Sequence, residues 1–285
     1  MTPVVRSFHH FATGTWSHVV VDAATRRAAV IDPVLDFEIA SGVVSHESAR
    51  RVLEYIEASD LIVEWILETH AHADHLTAAD WLKRELGARQ VPVRPQTGIG
   101  VGIVNVQRTF KKLLNLADEF VADGSQFDRL FADGDRFRIG ELDVRVIATP
   151  GHTPDSLTYR IGDAVFIGDT LFAPSAGSAR CDFPDGDAAT LYRSIRTLYD
   201  LPDTTRVFLA HDYPGDGNEP RSQTTIAAQK ETNIHVRADT PEDEYVQLRT
   251  TRDATLAAPK LLWPALQVNI RAGRLPADGK FFRTD

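Results

Sequence analysis

The chain has 285 residues, of which 43% are hydrophobic and 25% charged, and its formal net charge is −9 at pH 7. This composition is typical of a globular protein with a sizeable core, and the negative charge argues against a nucleic-acid or anionic-membrane surface, which needs a basic face. The single cysteine, Cys181, excludes an internal disulfide. No apolar run has the length of a transmembrane helix and no signal peptide is evident, so the sequence predicts a cytoplasmic protein.

The apolar pattern in the first third of the chain predicts alternating strands and helices. Strands are predicted at 17–21 and 28–32, on either side of a polar turn. Apolar residues at helical spacing predict an amphipathic helix over 47–58. A short run of β-branched and aromatic residues predicts a buried strand at 62–67, and 77–86 has helical character.

Four metal-type side chains follow the strand at 62–67 within six positions: His70, His72, Asp74 and His75. They fall on the turn between the end of a strand and a helix, where ligands commonly bind in α/β folds. Imidazole nitrogens and carboxylate oxygens suit zinc, iron, manganese or nickel. The alternative is a hydrogen-bonded turn with solvated histidines, but the density of the cluster favours a metal site.

The remaining chain predicts a second set of strands and helices. A short strand is predicted at 91–95, and the glycine-rich segment 96–127 predicts a loop or short helix beside the site. The later predictions are strands at 136–139, 142–148, 158–161, 164–167 and 206–210, a helix at 187–199 and a mostly helical stretch over 219–256. Because the elements arrive in two sets, before and after about residue 145, we expect two stacked half-units around one site.

Three further metal-type residues each end a short apolar strand. His152 lies in TPGHTPDS, Asp169 in FIGDT and His211 in FLAHDY. A single histidine or aspartate after a strand is usually a cap or a surface residue. Four separate strand ends that all present such residues predict one shared metal centre.

The ordered motifs HAHADH, TPGH, GD and AHD are similar to those of the metallo-β-lactamase superfamily. The resemblance covers roughly residues 10–235 and implies an αββα sandwich with the metal site along the edge between two sheets. It implies a domain at 1–235, with a C-terminal helical extension at 236–285 packed on it. In two-metal members all seven matching positions bind metal: His70, His72, Asp74, His75, His152, Asp169 and His211.

Within that superfamily, the chain resembles the persulfide dioxygenases, relatives of glyoxalase II that oxidise glutathione persulfide to sulfite. The segment containing Arg180, Asp182 and Phe183 carries this resemblance, together with the surroundings of His152 and the sequence His211-Asp212-Tyr213. The resemblance implies that Arg180 and Tyr213 contact the thiol substrate. A guanidinium suits a glutathione carboxylate and a phenol supplies a directional hydrogen bond, whereas the alternatives are a surface ion pair and a half-buried aromatic ring.

The persulfide dioxygenases bind one Fe(II) per chain, and the resemblance assigns its ligands, which are also the catalytic residues, to His70, His152 and Asp169. This two-histidine, one-carboxylate set leaves open positions for O₂ and a sulfur ligand. Zinc is redox-inert and cannot activate O₂. The other four side chains, His72, Asp74, His75 and His211, then either orient the ligands by hydrogen bonds or form a second metal position.

The sequence also departs from the pattern and leaves rivals open. Many persulfide dioxygenases have Gly-Cys-Gly before the arginine, where this chain has Gly177-Ser178-Ala179, and the C-terminal part, which includes 260–271, is longer than in compact forms. The first rival is a glyoxalase II-type glutathione thioester hydrolase with two metal ions, such as zinc, and a bridging hydroxide. The second is a non-catalytic metal-binding partner in sulfide or redox metabolism. Family members are often dimeric, so the resemblance also implies a homodimer.

Overall fold

A computed structural model describes residues 2–213 and 218–276 of the chain. The strands are β1 (Val4–His10), β2 (Thr15–Asp22), β3 (Arg27–Ile31), β4 (Val34–Glu38), β5 (Val43–Ser45), β6 (Ile62–Leu67), β7 (Leu76–Thr77), β8 (Gln96–Gly100), β9 (Arg129–Phe131), β10 (Arg136–Ile139), β11 (Leu142–Ala148), β12 (Leu157–Ile161), β13 (Ala164–Phe166), β14 (Arg206–Phe208) and β15 (Gln223–Thr225). The helices are α1 (Glu47–Ala58), α2 (Ala79–Arg89), α3 (Ile103–Leu113), α4 (Ala188–Tyr199), α5 (Ile226–Thr232), α6 (Glu242–Asp253) and α7 (Leu262–Asn269).

Two six-stranded sheets form the centre of the molecule. The first has the order β1-β2-β3-β6-β8-β9, and the second the order β10-β11-β12-β13-β14-β15. In the first sheet, β3, β6, β8 and β9 are parallel. In the second, only β13 and β14 are parallel. The two sets therefore meet between β9 and β10, somewhat before the predicted division at about residue 145.

Three layers of apolar side chains hold the sandwich together. Between the sheets, Leu67 and Phe131 of the first pack with Val144, Tyr159 and Phe166 of the second. Helices α1, α2 and α7 cover the outer face of the first sheet, and helices α4, α5 and α6 that of the second. Each large buried apolar side chain contributes about 1.5–3 kcal/mol relative to exposure. The predicted αββα sandwich is confirmed.

The predicted strand at 91–95 is wrong. These residues form a turn and an irregular stretch, and the strand begins at Gln96. Pro92 and Pro95 lie inside the predicted run, and proline cannot donate to a strand ladder. The apolar residues around them therefore gave a misleading signal.

The segment 96–127 contains the strand β8 and the amphipathic helix α3, where a loop or short helix is predicted. A Cβ atom added at Gly98 would lie 2.5 Å from the ring of Phe131, and one added at Gly100 would collide with the backbone of Asp155. Glycine is needed because strand β8 packs so closely against its neighbours. A composition typical of a loop therefore arises from a buried strand.

The stretch 219–256, predicted to be mostly helical, contains α5 and α6 but also β15 and irregular segments at 219–222 and 233–241. The predicted extension at 236–285 contains α6, which packs on α4, and α7, which contacts β7. The division at residue 235 stays a prediction, and 277–285 lie outside the described residues. No helix in the described ranges is long and apolar enough to cross a membrane.

Candidate metal centre

The seven predicted side chains converge from four strand ends. The loop after β6 carries His70, His72, Asp74 and His75, while the others follow β11, β13 and β14. Six of the seven are buried and Asp74 is half-buried. The structure therefore brings all the predicted positions to one place.

The first group consists of His70, His152 and Asp169, whose ligand-type atoms all lie within 4.8 Å of one another. The Nε2 atom of His152 is 3.6 Å from Oδ2 of Asp169. The Nε2 atom of His70 is buried and has no hydrogen-bond partner among the described residues. Two imidazoles and one carboxylate thus face a common point.

The second group consists of His72, Asp74, His75 and His211, again with ligand-type atoms within 4.8 Å of one another. Asp74 lies between two of these histidines: its Oδ2 is 3.2 Å from His211 Nε2 and its Oδ1 is 3.3 Å from His75 Nδ1. His211 Nε2 is also 3.2 Å from Oδ1 of Asp169, which joins the two groups. Asp169 therefore has contacts on both sides.

Asp32 orients two of the histidines, one directly and one through Thr69. Its Oδ1 lies 3.0 Å from His72 Nε2, and its Oδ2 accepts a hydrogen bond from the Thr69 hydroxyl at 2.8 Å. The same hydroxyl is 3.1 Å from His70 Nδ1. A carboxylate that holds the remote ring nitrogen of a histidine leaves the other nitrogen directed at a metal. In the sequence, Asp32 is marked only as the last residue of the predicted strand at 28–32.

Two other histidines are also held through their Nδ1 atoms. His152 Nδ1 donates to the carbonyl oxygen of Arg180 at 2.7 Å. His211 Nδ1 is 3.3 Å from the Thr15 hydroxyl and 3.4 Å from the Tyr213 hydroxyl. The ring orientations are therefore set by the protein.

Long-range hydrogen bonds hold the backbone of the histidine-rich loop. The side-chain nitrogen of Asn269, in α7, donates to the carbonyl oxygens of His72 at 2.7 Å and His75 at 2.8 Å. Its side-chain oxygen accepts from the Thr77 amide at 2.8 Å. Asp155 accepts from the Ala71 amide at 2.8 Å. Neither Asn269 nor Asp155 carried a sequence signal for this role.

The charges of the centre follow from burial and from close neighbours. Burial, reinforced by His72, lowers the pKa of His70 well below its usual value. Burial lowers the pKa of His75 to about 4. Burial alone would raise the pKa of Asp169, but the adjacent His211 and the other histidines lower it. Neutral imidazoles and an ionised carboxylate are the forms that bind metal ions.

Other groups hold protons in the absence of an ion. Burial acts to lower the pKa of His211, but Asp74 and Asp169 outweigh it and raise that pKa to about 9. Burial raises the pKa of Glu68 to about 8, and Glu68 accepts a 2.5 Å hydrogen bond from the Thr77 hydroxyl. Glu68, Asp32 and His72 form a third buried group of metal-type side chains.

The arrangement fits a transition-metal ion. Buried polar atoms without partners are costly, and several of them face the centre. In the described part of the chain, such atoms are His70 Nε2, His72 Nδ1 and His75 Nε2. Nitrogen and carboxylate oxygen donors held in fixed orientations are what iron or zinc requires.

A cavity of about 960 Å³ opens beside the centre. His152 and Asp169 line it, as do both predicted substrate contacts, Arg180 and Tyr213. Tyr213 is 64% exposed and its ring stacks on His211. Such a space is large enough for a small organic substrate.

The guanidinium of Arg180 already has partners. Its Nε and Nη2 atoms each donate to Asp182 at 2.6 Å, and Nη1 donates to the Ala257 carbonyl oxygen at 2.7 Å. Its predicted contact with substrate stays a prediction. Cys181, next in sequence, is buried, and burial raises the pKa of its thiol to about 12, so it is inert as a nucleophile.

The chain is similar to proteins with hydrolase-type and dioxygenase names. It is 46% identical over 273 residues to Glyoxylase B2 of Dictyostelium discoideum, covering 95% of this chain and 91% of the relative. It is 47% identical to a beta-lactamase hydrolase-like protein of Agrobacterium fabrum, covering 98% of this chain but only 64% of that longer relative. The human mitochondrial persulfide dioxygenase ETHE1 is 28% identical, with 91% of this chain and 84% of the relative covered.

A solved structure shows the same likeness. The crystal structure of ETHE1 from Myxococcus xanthus matches with a TM-score of 0.72 and 32% identity, over 95% of this chain and all of that chain. The family model of the metallo-beta-lactamase superfamily matches residues 12–211, which contain every predicted metal-type position. The chain therefore belongs to the metallo-beta-lactamase superfamily.

Proposed function

We propose that this protein is a non-haem Fe(II) persulfide dioxygenase that oxidises a low-molecular-weight thiol persulfide, such as glutathione persulfide. The observation that carries the proposal is the group of His70, His152 and Asp169 beside a substrate-sized cavity. Two histidines and one carboxylate with open positions are typical of non-haem iron oxygenases. The similarity to ETHE1 over almost the whole chain supports the same assignment.

The proposed reaction is RSSH + O₂ + H₂O → RSH + SO₃²⁻ + 2 H⁺. The outer sulfur loses four electrons and O₂ gains them, so no further reductant is needed. Fe(II) held by the three ligands would supply redox activity and open coordination positions. The protein's own contribution is to orient the ligands through Asp32 and the Arg180 carbonyl oxygen, and to hold the substrate in the cavity.

The remaining metal-type residues surround the proposed iron site. Asp74 contacts His75 and His211, and His211 contacts Asp169, so these side chains orient one another without a second ion. In this role His72, Asp74, His75 and His211 are hydrogen-bonding groups for the ligands and for water. Tyr213 lines the cavity next to His211 and would contact the substrate there. The homodimer, the cytoplasmic location and the lack of nucleic-acid or membrane partners stay predictions from the sequence.

A glutathione thioester hydrolase of the glyoxalase II type is the second candidate. Two observations favour it: the buried Nε2 atom of His75 has no hydrogen-bond partner among the described residues, and relatives at 46–47% identity are named Glyoxylase B2 and beta-lactamase hydrolase-like protein. A second ion held by His75 and its neighbours would activate a hydroxide for attack on a thioester. A non-catalytic metal-binding partner is the third alternative, and it predicts turnover of neither substrate.

Metal content and activity of two matched variants test the proposal. The protein and its His152→Ala and His75→Ala variants are loaded anaerobically with Fe(II), and bound metal is counted by mass spectrometry. We expect about one iron in the parent, loss of iron in His152→Ala, and about one iron retained in His75→Ala. Oxygen uptake with glutathione persulfide and hydrolysis of S-lactoylglutathione are measured on the same samples.

The same measurements can also reject the dioxygenase. About two ions in the parent, loss of one ion in His75→Ala, and thioester hydrolysis without oxygen uptake would assign the protein to the hydrolases. Circular dichroism of His152→Ala confirms that lost turnover does not come from lost folding. An unfolded His152→Ala variant, with neither substrate turned over by the parent, would support a structural metal.

A further inference from the structure

Some of the charged side chains that line the cavity have ion-pair partners within the chain, and others have none among the described residues. Among the described residues, four permanently cationic side chains line it, and two of these have acidic partners within the chain. Arg180 is paired with both oxygens of Asp182. Arg249 is buried, and its Nε and Nη2 atoms donate to Oδ1 of Asp253 at 3.0 and 2.6 Å. Neither guanidinium is free for an incoming anion.

Arg252 and Lys260 are the other two cations of the lining. Both are exposed, and neither has an ion pair or a side-chain hydrogen bond with any other described residue. Burial, together with Arg249 and Arg252, lowers the pKa of His235 to about 4, so this cavity residue is neutral at pH 7. The free positive charge of the cavity therefore comes from the end of α6 and the segment before α7.

The acidic side chains of the lining show a matching pattern. Asp36 lies 3.3 Å from His10 Nε2 and accepts hydrogen bonds from Ser48, while Asp74 and Asp169 face the histidines of the metal centre. Glu38 accepts only the Ala40 amide, at 3.0 Å, and has no cationic partner among the described residues. One free carboxylate thus accompanies the two free cations.

We propose that Arg252 and Lys260 bind the carboxylates of the thiol carrier, that Glu38 binds its ammonium group, and that Arg180 acts only as a positioning residue. The inference rests on the proposed function, because it assigns the carrier-binding residues of the same site. Unpaired guanidinium and ammonium groups recognise carboxylates, and an unpaired carboxylate recognises an ammonium group. The cavity therefore fits a peptide-type thiol with two carboxylates and one ammonium group.

Arg180 is assigned a different task because its contacts all lead to the protein. Its carbonyl oxygen fixes His152, and its guanidinium joins Asp182 to the Ala257 carbonyl oxygen. Ala257 lies in the segment between Arg252 and Lys260. Arg180 thus ties the proposed carboxylate-binding segment to a proposed iron ligand.

Binding of a substrate analogue that cannot be oxidised tests the inference independently of turnover. S-methylglutathione and its dimethyl ester, which lacks both free carboxylates, are titrated calorimetrically into the whole protein. We expect the acid to bind the parent about 2- to 30-fold more tightly than the ester, which is what two exposed charge pairs allow. The Arg252→Ala/Lys260→Ala double variant should bind acid and ester about equally, and Glu38→Gln should weaken both.

Two controls separate the alternatives. The Arg108→Ala/Lys112→Ala variant removes the same charge from α3, outside the cavity lining, and should keep the preference for the acid. Arg180→Ala should also keep that preference, although kcat falls, because the backbone that holds His152 loses the contacts of the guanidinium with Asp182 and Ala257. If Arg180→Ala abolishes the preference and the double variant keeps it, Arg180 binds the carboxylate and the inference is wrong.

Failure of the proposed function gives a different result. Loss of the preference in the double variant, with no oxygen uptake by the parent protein, would uphold the binding assignment and reject the dioxygenase. Oxygen uptake by the parent, with an unchanged preference for the acid in the double variant, would uphold the dioxygenase and reject the binding assignment. No measurable binding of S-methylglutathione to the parent would overturn the inference.

Discussion

Replacing Asn269 by alanine tests whether α7 is part of the metal centre. The Asn269 side chain makes three hydrogen bonds to the backbone of the histidine-rich loop, at 2.7, 2.8 and 2.8 Å. Alanine leaves three buried backbone groups without a partner, at a cost of about 1 kcal/mol or more for each. We therefore expect a loss of about 3 kcal/mol in the free energy of unfolding, or roughly 6–12 °C in Tm for a chain of this size.

The assay is thermal unfolding of the metal-free protein, followed by anaerobic titration with Fe(II). Because the loop carries His70, His72 and His75, iron affinity should fall about 10-fold or more along with Tm. Asn105→Ala is the matched control, since Asn105 is exposed on α3 and its side chain has no hydrogen bond with the described residues. It should change stability by less than about 0.5 kcal/mol. Equal Tm values for the two variants would refute the reasoning.

Three further predictions address individual side chains. Asp32→Asn keeps the size of the side chain but weakens the support of His72 and His70, so iron affinity should fall about 10- to 100-fold in a folded protein; unchanged affinity would contradict this. Cys181 should not react with iodoacetamide at pH 8 in the native protein, because burial raises its pKa to about 12, and mass spectrometry of the native and denatured protein checks this. Burial lowers the pKa of His18 to about 4, so its contribution to stability is present above about pH 6.5 and is lost as pH falls towards 4. Between pH 6.5 and 4, the free energy of unfolding, measured by urea titration, should fall by about 2–3 kcal/mol less in His18→Gln than in the parent. Equal falls in the two proteins would argue against this.

The sequence predicts well those features that depend on residues close together in the chain. Short apolar runs followed within a few residues by a histidine or aspartate place four strand ends correctly, because buried strands need continuous apolar residues. Helix α4 also begins where expected, since the Asp187 side chain caps it through the Thr190 amide. The seven metal-type residues could therefore be found without any structure.

The features that sequence misses depend on contacts between distant parts of the chain. Asn269 reaches the histidine-rich loop from almost two hundred residues away, and no local pattern marks it. Gly98 and Gly100 suggest a loop although they lie in a buried strand. Glycine is needed there because Phe131 and the backbone of Asp155, both distant in sequence, leave no room for a Cβ atom. The Arg180 guanidinium likewise donates to the carbonyl oxygen of Ala257, 77 residues away, a contact that no local pattern indicates.

The most direct test of the dioxygenase assignment is oxygen uptake by the iron-loaded protein on addition of glutathione persulfide, with sulfite and metal measured on the same sample. We expect rapid uptake, one sulfite formed for each O₂ consumed, and about one iron per chain. No uptake by protein that holds its metal, together with hydrolysis of a glutathione thioester, would contradict it.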